Sequence, residues 1–285
     1  MPLDLPAGLD AAEIQTLIDT AIAEDIGAGD ITSQAVIPPG TKFDGVMSAR
    51  QDMVCAGLPI AKAIFETFSH DIIFEALAAD GDRLAAGAHL ARLGGPALAL
   101  LTAERTAINM LQHLSGIATL TAKYADAIAG TGCILLDTRK TTPGLRNLQK
   151  HATRMGGATN HRMRLDDGVL IKDNHIALAG GVGEAIGRAR AGGLSDIEVE
   201  CDTLEQVTEA LDAGADSILL DNMAPPLMAE AVTMIDGRVP TEASGNVKLE
   251  NIREIAETGV TYASAGRITY AAPAIDIGLD WSAAP

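Results

Sequence analysis

A chain of 285 residues, of which 47% are hydrophobic and only 3% aromatic, can build a large core from aliphatic side chains and alanine. This length favours two structural units, although a single α/β barrel can be equally long. The formal net charge of −17, from 38 acidic and 21 basic residues, argues against nucleic acid and anionic membranes as partners, because both are bound through basic surfaces.

The amino-terminal sequence has no feature of an exported or membrane-inserted protein. The first Lys or Arg is Lys42, which argues against a secretory signal or a transit peptide, and we expect a cytoplasmic location. The longest apolar run, residues 96–101, is far shorter than the roughly 20 residues of a membrane helix. Because Cys55, Cys133 and Cys201 lie far apart, we expect small buried side chains rather than disulfides or a zinc site.

The first half of the chain mixes helical and extended patterns. Apolar residues at helical spacing alternate with short apolar stretches that Gly57, Gly81 and Gly87 separate. In chain order, the predicted elements are a helix over 10–24, a strand at 43–49, a helix near 59–69, a strand at 72–77, and helices over 97–114 and 117–128. We therefore expect an α+β domain, followed by two helices that lead to a second unit.

From Cys133 onward, the sequence repeats a short apolar run, polar residues and a helical stretch. The runs are residues 134–136, 169–171, 197–199, 218–220, 241–243 and 262–264. Such βα units form either an open doubly wound sheet or a barrel, and in both the chemistry gathers at the carboxyl ends of the strands. Because candidate residues follow six strands rather than one switch point, we favour an α/β barrel, complete or incomplete.

The stretch from Arg139 to Lys172 is basic although the chain is acidic, with eight Lys and Arg against two Asp. A local basic pocket suits a small polyanion, because arginine pairs bidentately with carboxylate or phosphate and lysine supplies a point charge. Arg146, Lys150 and Arg154 have the spacing of one helix, and we expect them to be solvated. The cations beside strand ends or glycine-containing turns are the candidate ligands: Arg139, Lys140, Arg162 and Lys172.

Polar residues at other strand ends complete the candidate site. Glu200 and Asp221 occupy equivalent positions one βα unit apart, where carboxylates can bind Mg²⁺, hold ribose hydroxyls or simply pair with a lysine. The turn at 156–162 can bring backbone close to a ligand, and His161 could donate to an anion. Two further strand-to-helix turns suit phosphate through their backbone amides, namely Ser244, Gly245 and Asn246, and Ser264, Ala265 and Gly266.

Several segments together resemble one protein family. They are residues 104–109, 114–119, 137–144, 160–162, 170–175 and 242–245. Along nearly its whole length the sequence resembles quinolinate phosphoribosyltransferases, also called carboxylating nicotinate-nucleotide pyrophosphorylases, and the block 137–175 is highly specific. The resemblance implies an α/β fold with an N-terminal α/β sandwich domain, residues 1–114, onto which 268–285 can pack back. It also implies an incomplete α/β barrel of parallel strands, residues 115–267, and a homodimer with shared active sites.

The same resemblance implies a reaction and a role for each candidate residue. The reaction transfers the phosphoribosyl group of phosphoribosyl pyrophosphate to quinolinate with decarboxylation, giving nicotinate mononucleotide, a step of NAD biosynthesis. The residues implied for quinolinate are Arg139, His161, Arg162 and Lys172, with the partner subunit's Arg105. Those implied for phosphoribosyl pyrophosphate and its Mg²⁺ are Lys140, Glu200, Asp221 and the turns 244–246 and 264–266. Thr138, within the same block, is a further candidate for substrate binding.

Three positions depart from the family's glycines. They are Ala158, Arg164 and Asn246. Ala158 fits if its φ is negative, and Asn246 fits if its φ is negative or left-handed. Arg164 adds a charge near the pocket and has no assigned role, so these departures bear on substrate preference.

Two other functions remain open at this point. Lys172 ends a strand, so it could be the nucleophile of a Schiff-base lyase. The chain could also be a binding or transport-accessory protein that keeps the fold without turnover. Trapping of a carbonyl substrate on Lys172 would favour the first, and ligand binding without turnover would favour the second.

Overall fold

The computed structural model describes residues 5–283 of the chain. They belong to two compact units. The first contains residues up to 120, residues 142–156 and the segment from 272 onward, and the second contains 121–141 and 157–271. In the part of the chain that is described, no helix combines the length and the apolar character needed to cross a membrane.

Strands and helices alternate along the described residues. The strands are β1 (Lys42–Ala49), β2 (Met53–Val54), β3 (Ile73–Ala76), β4 (Arg83–Leu84), β5 (His89–Pro96), β6 (Ile134–Leu136), β7 (Val169–Ile171), β8 (Ile197–Cys201), β9 (Ser217–Asp221), β10 (Thr241–Ser244), β11 (Tyr262–Ser264) and β12 (Ile277–Ala283). The helices are α1 (Ala11–Ile26), α2 (Ile31–Val36), α3 (Leu58–Phe68), α4 (Ala97–Ala127), α5 (Arg146–Met155), α6 (Asp173–Ala179), α7 (Val182–Ala191), α8 (Leu204–Asp212), α9 (Pro225–Ile235), α10 (Ile252–Ala256) and α11 (Arg267–Tyr270).

The first unit contains an antiparallel sheet with the strand order β12-β1-β5-β3. β1 pairs with β5 on one side and with β12, from the carboxyl-terminal segment, on the other. Helix α3 buries Ile60, Ile64 and Phe65, because its apolar residues recur at helical spacing. The prediction of a separate α/β domain in this part of the chain is confirmed.

Helix α4 is one continuous helix, and the prediction of two helices separated near residue 115 was wrong. Position 116, inside α4, is a glycine because the backbone at Pro273 packs closely against the helix there. A Cβ at this position would overlap the carbonyl oxygen of Pro273. The hydroxyl of the adjacent Ser115 accepts the Ala56 N–H at 3.1 Å. The Ser-Gly pair therefore serves tight packing within the first unit and does not end the helix.

Helix α5 carries more buried polar side chains than its sequence indicates. Lys150 was predicted to be solvated, but it is 0% exposed, and Arg146 and Arg154 are half-buried, so the prediction was wrong for all three. On the same helix, His151 Nε2 lies 2.7 Å from Asp80 Oδ2 inside the first unit. Helical spacing of charges predicts the helix, but it does not indicate which face the packing covers.

The second unit is built on six parallel strands in the order β6-β11-β10-β9-β8-β7. Their positions agree with the six predicted apolar runs, and helices α6 to α10 lie between successive strands of the chain from β7 onward. β6 and β7 form the two edges of the sheet. The prediction of an α/β barrel of parallel strands, in its incomplete form, is confirmed.

The cysteines are free thiols in different surroundings. Cys55 and Cys201 are buried, whereas Cys133 is partly exposed. Burial raises the pKa of Cys201 to about 12, with nearby carboxylates adding to the effect. The expectation of buried side chains is confirmed for Cys55 and Cys201, but Cys133 is less buried than expected.

Candidate active site

The six parallel strands bring their polar residues to one place. Successive residues of a strand point to opposite sides, so every second residue shares one face of the sheet. The register places Glu200 beside Leu219, and Ser244 beside Asp221. The residues of this face that line one cavity at the carboxyl ends are Lys172, Glu200, Asp221, Ser244 and Ser264.

This cavity has a volume of about 460 Å³. The predicted residues that line it are Thr138, Lys140, Lys172, Glu200, Asp221, Ser244, Gly245, Asn246, Ser264 and Gly266. Lys248, Arg267 and Tyr270 also line it and were not predicted, although both cations stand in the same turns as predicted residues. Cations and turn amides suit phosphate groups, while the carboxylates suit a metal ion or ribose hydroxyls.

A smaller cavity of about 250 Å³ adjoins the larger one, because five residues line both: Thr138, Lys140, Lys172, Ser244 and Ser264. Its other lining residues are Arg139, His161, Arg162, Leu170, Leu219 and Glu242. Arg139 and Arg162 line the same cavity, and burial and the charge of Arg139 lower the pKa of Arg162. Guanidinium groups beside aliphatic side chains suit a flat apolar ring that carries carboxylates.

Acidic side chains crowd together beside Lys172. The Lys172 Nζ donates to Glu200 Oε2 at 2.8 Å. Burial raises the pKa of Asp221, and the charges of Glu200 and Asp202 raise it further. An added cation would relieve this repulsion, and the available donors are carboxylate oxygens, which hard cations such as Mg²⁺ prefer.

The turns at the cavity have the backbone that their sequence requires. Gly245 has φ +81°, and a Cβ there would overlap the Asn222 side chain. Asn246 has φ +53°, in the left-handed region, and Ala158 is absent from the residues with positive φ, so both departures from glycine fit as predicted. Arg164 is exposed and lies 3.4 Å from Asp166.

His161 lies between two carboxylates that the sequence analysis did not identify. Its Nε2 is 3.2 Å from Glu198 Oε2 and 3.2 Å from Glu242 Oε2. Burial opposes the charged ring, but these two contacts outweigh it and raise the pKa of His161. Burial raises the pKa of Glu242. On the other side of the ring, the Arg162 N–H donates to Nδ1 at 2.8 Å, a contact that favours the neutral ring.

The period of the strands could have revealed these two carboxylates. Glu198 precedes Glu200 by two residues on β8, and Glu242 precedes Ser244 by two on β10. Each pair therefore points to the same face of the sheet. The predicted site included the residues at the strand ends but not the layer below them.

Two predicted residues lie outside the lining of these cavities. Arg105 is an exposed residue of α4 in the first unit, and its predicted role in a partner subunit's site stays a prediction. Ala265 is buried, and its backbone N–H donates to the carbonyl oxygen of Leu136 at 3.0 Å. The amide of Ala265 therefore belongs to the sheet hydrogen bonding at this end of β11.

The fold and the two adjoining cavities define an α/β-barrel protein with a site for small polyanions. The family model described as the quinolinate phosphoribosyl transferase C-terminal domain matches residues 117–280, and that of the N-terminal domain matches residues 30–115. Together they cover most of the chain. The chain belongs to the quinolinate phosphoribosyl transferase family.

Similar proteins agree along nearly the whole length. The chain is 41% identical over 270 residues to a probable carboxylating nicotinate-nucleotide pyrophosphorylase of Bacillus subtilis, covering 94% of this chain and 93% of the relative. It is 44% identical to the carboxylating nicotinate-nucleotide pyrophosphorylase of Mycobacterium leprae, with coverages of 92% and 95%. The solved structure of the nicotinate-nucleotide pyrophosphorylase from Francisella tularensis superposes with a TM-score of 0.92 at 37% identity, covering 96% of this chain and 98% of that chain.

We predict that Gly266→Ala weakens the binding of inorganic pyrophosphate by about tenfold, or about 1.4 kcal/mol. The φ of −67° at Gly266 accepts alanine, but the added Cβ would lie 2.9 Å from Lys140 Cδ and displace that side chain. Isothermal titration calorimetry measures the affinity. The control is Gly187→Ala on α7, where nothing lies within 4 Å of the added Cβ. Equal affinities of both variants would show that the position of Lys140 is unimportant for pyrophosphate.

Proposed function

We propose that this protein transfers the phosphoribosyl group of phosphoribosyl pyrophosphate to quinolinate with decarboxylation, producing nicotinate mononucleotide, CO₂ and pyrophosphate. One observation carries this function beside the family membership. A cavity with two guanidinium groups adjoins a larger cavity of cations, carboxylates and glycine turns, and both share Lys140 and Lys172. Two different polyanions can therefore bind next to each other, as a transfer between them requires.

We assign quinolinate to the smaller cavity. Its two carboxylates match Arg139 and Arg162, whose guanidinium groups can form bidentate contacts, and Lys172 adds a point charge between the cavities. Leu170 and Leu219 offer apolar contact to the pyridine ring. A dianion placed there offsets the repulsion between the two arginines.

We assign phosphoribosyl pyrophosphate and Mg²⁺ to the larger cavity. The turns at Ser244–Asn246 and at Ser264–Gly266 suit its phosphate groups, with Lys140 beside Gly266. Glu200 and Asp221 would hold the metal or the ribose hydroxyls. The pKa of Asp221, which burial and then the charges of Glu200 and Asp202 raise, supports this assignment. Bound Mg²⁺ would supply positive charge to the pyrophosphate oxygens.

The reaction follows from these positions. Lys140 stabilises the charge of the departing pyrophosphate, and Glu200 and Asp221 stabilise the oxocarbenium-like ribose carbon that develops. The pyridine nitrogen, held by the arginines, attacks this carbon. The ring nitrogen is then cationic, so it stabilises the electron pair left on the neighbouring ring carbon when CO₂ departs, and that carbon takes up a proton.

The Schiff-base alternative fits the site less well. Lys172 Nζ donates to a carboxylate oxygen of Glu200 at 2.8 Å, so the amine is held in an ion pair and is not free to attack a carbonyl carbon. A binding or transport-accessory protein could bind the same ligands with the same residues, and it would differ from the proposed enzyme only in having no turnover.

An activity assay distinguishes these functions. Purified protein with quinolinate, phosphoribosyl pyrophosphate and Mg²⁺ should release CO₂ and form nicotinate mononucleotide in equal amounts. Omission of phosphoribosyl pyrophosphate is the control, because decarboxylation should wait for the new bond to nitrogen. Quinolinate binding without either product would instead support a binding protein.

If Glu200 and Asp221 hold Mg²⁺, loss of the metal or of one carboxylate should impair the use of phosphoribosyl pyrophosphate more than the binding of quinolinate. EDTA should abolish turnover, and excess Mg²⁺ should restore it. Asp221→Asn keeps the shape but removes the charge, so it should raise the KM for phosphoribosyl pyrophosphate by at least about tenfold and leave the quinolinate affinity within about threefold. Asp212→Asn, at the end of α8, serves as a charge-matched control. Full activity of Asp221→Asn in EDTA would contradict the assignment.

We further propose a cytoplasmic homodimer in which the partner's Arg105 completes each quinolinate site. Arg105→Ala and Lys140→Ala should each be inactive while folded, because each removes a cation from a polyanion site. Mixed after dissociation and reassociation, they should recover about one quarter of the sites, since half the dimers are mixed and each mixed dimer has one intact site.

Arg188→Ala, an exposed arginine of α7, mixed with Lys140→Ala controls for the contribution of one active parent. Mass spectrometry confirms that mixed dimers form. Mixed dimers of Arg105→Ala and Lys140→Ala that stay inactive would show that both residues serve the same subunit's site.

A further inference from the structure

Both ring nitrogens of His161 already have partners within the protein. Nε2 lies 3.2 Å from a carboxylate oxygen of Glu198 and 3.2 Å from one of Glu242. Nδ1 accepts the backbone N–H of Arg162 at 2.8 Å. His161 also lines the smaller cavity, but its two other ring positions that carry hydrogen are carbon atoms, which are not hydrogen-bond donors of comparable strength.

These contacts define where the ring proton lies. The two carboxylates favour a charged ring, but a backbone N–H can only donate, so Nδ1 must keep its lone pair and the single ring proton lies on Nε2. The Nε2–H then points at the two carboxylates. The spacing of His161, Glu198 and Glu242 would also permit a metal ion, but a protonated Nε2 cannot be a metal ligand.

We propose that His161 anchors the quinolinate-binding loop rather than the substrate, and that Glu198 and Glu242 are the positioning residues that hold it. This inference rests on the proposed function and changes the role expected for His161. The resemblance implied a direct contact between His161 and quinolinate. The geometry instead leaves the substrate carboxylates to Arg139, Arg162 and Lys172.

The loop before Arg162 is held at successive points. The Thr159 N–H donates to the Leu135 carbonyl at 2.9 Å, which extends the loop alongside β6. Asp137, which is 0% exposed, accepts the His161 N–H at 2.9 Å. The carboxylate pair then fixes the imidazole ring. The backbone N–H of Arg162, the next residue, donates to Nδ1 of this ring at 2.8 Å, so the ring and the backbone of Arg162 hold each other in place.

Glu198 and Glu242 lie in the layer of the barrel directly below the substrate-facing residues. They precede Glu200 and Ser244 by two positions, and alternate residues of a strand share a face. From this layer, the charge of Glu198 also opposes the lowering of the Arg162 pKa that burial and Arg139 cause. The carboxylates therefore support the arginines both by geometry and by charge.

Substitutions that separate shape from hydrogen bonding test the inference. Glu242→Gln keeps an oxygen that can accept the Nε2–H, whereas Glu242→Leu removes it. Quinolinate affinity by calorimetry and the KM values of both substrates are measured. We expect Glu242→Leu and Glu198→Leu to weaken quinolinate binding by at least about tenfold, and Glu242→Gln by less than about threefold. The KM for phosphoribosyl pyrophosphate should stay within about twofold, which a general loss of structure would not allow.

A double-mutant cycle identifies the route of the effect. If the carboxylates act through His161, His161→Leu combined with Glu242→Leu should bind quinolinate as weakly as either single variant, not the product of both losses. Glu205→Leu, on the exposed first turn of α8, is the control. If Glu242→Leu does not fold, Glu198→Leu, with the more exposed side chain, replaces it in the cycle.

Two results would overturn the inference. One is wild-type affinity for quinolinate in both Glu→Leu variants while His161→Leu binds weakly, because His161 would then contact the substrate directly. The other is an equal increase of both KM values in every variant. Wild-type protein that binds no quinolinate would count against the proposed function instead. The role of His161 as an anchor is then tested by NMR of isotope-labelled histidine. A proton on Nε2 whose signal changes in Glu242→Leu would support this role, and a ring whose signals do not change would overturn it.

Discussion

Side chains of like charge share the cavities at the carboxyl ends of the barrel strands. Their mutual repulsion is the constraint on which the rest of the site depends. Burial and the charge of Arg139 lower the pKa of Arg162, and burial and the charge of Glu200 raise that of Asp221. Lys172 lines both cavities and lies 2.8 Å from Glu200. Crowded cations attract a dicarboxylate, and crowded carboxylates attract a metal ion, so each half of the site gains most when its ligand binds.

The barrel makes this arrangement possible through the period of its strands. Six short parallel strands each contribute alternate residues to one face, so charges far apart in sequence meet within two adjoining cavities. Glycines in the turns let the backbone approach the side chains that line the larger cavity. At Gly266, for example, a Cβ would lie 2.9 Å from Lys140 Cδ. Rigid strands and small turns together place charged groups at fixed distances, which is what catalysis by preorganised charge requires.

Local patterns in the sequence predicted the elements, while packing decided the exceptions. The strands of the barrel were found because buried parallel strands are rich in aliphatic residues, even where a carboxylate interrupts the run as in β8 and β10. The split of α4 at Gly116 was wrong because the glycine serves a close approach to Pro273, a contact distant in sequence. Lys150 was placed in solvent because a helical pattern does not tell which neighbours cover it. Glu198 and Glu242 were missed because their partner, His161, lies on a loop outside their strands.

If the two cavities bind quinolinate and the phosphorylated substrate side by side, a crystal structure of the protein with quinolinate, pyrophosphate and Mg²⁺ will show both ligands. We expect the quinolinate carboxylates on Arg139 and Arg162, and pyrophosphate against Lys140 and the turn at Gly245. Quinolinate bound in the larger cavity, or away from both arginines, would contradict this expectation.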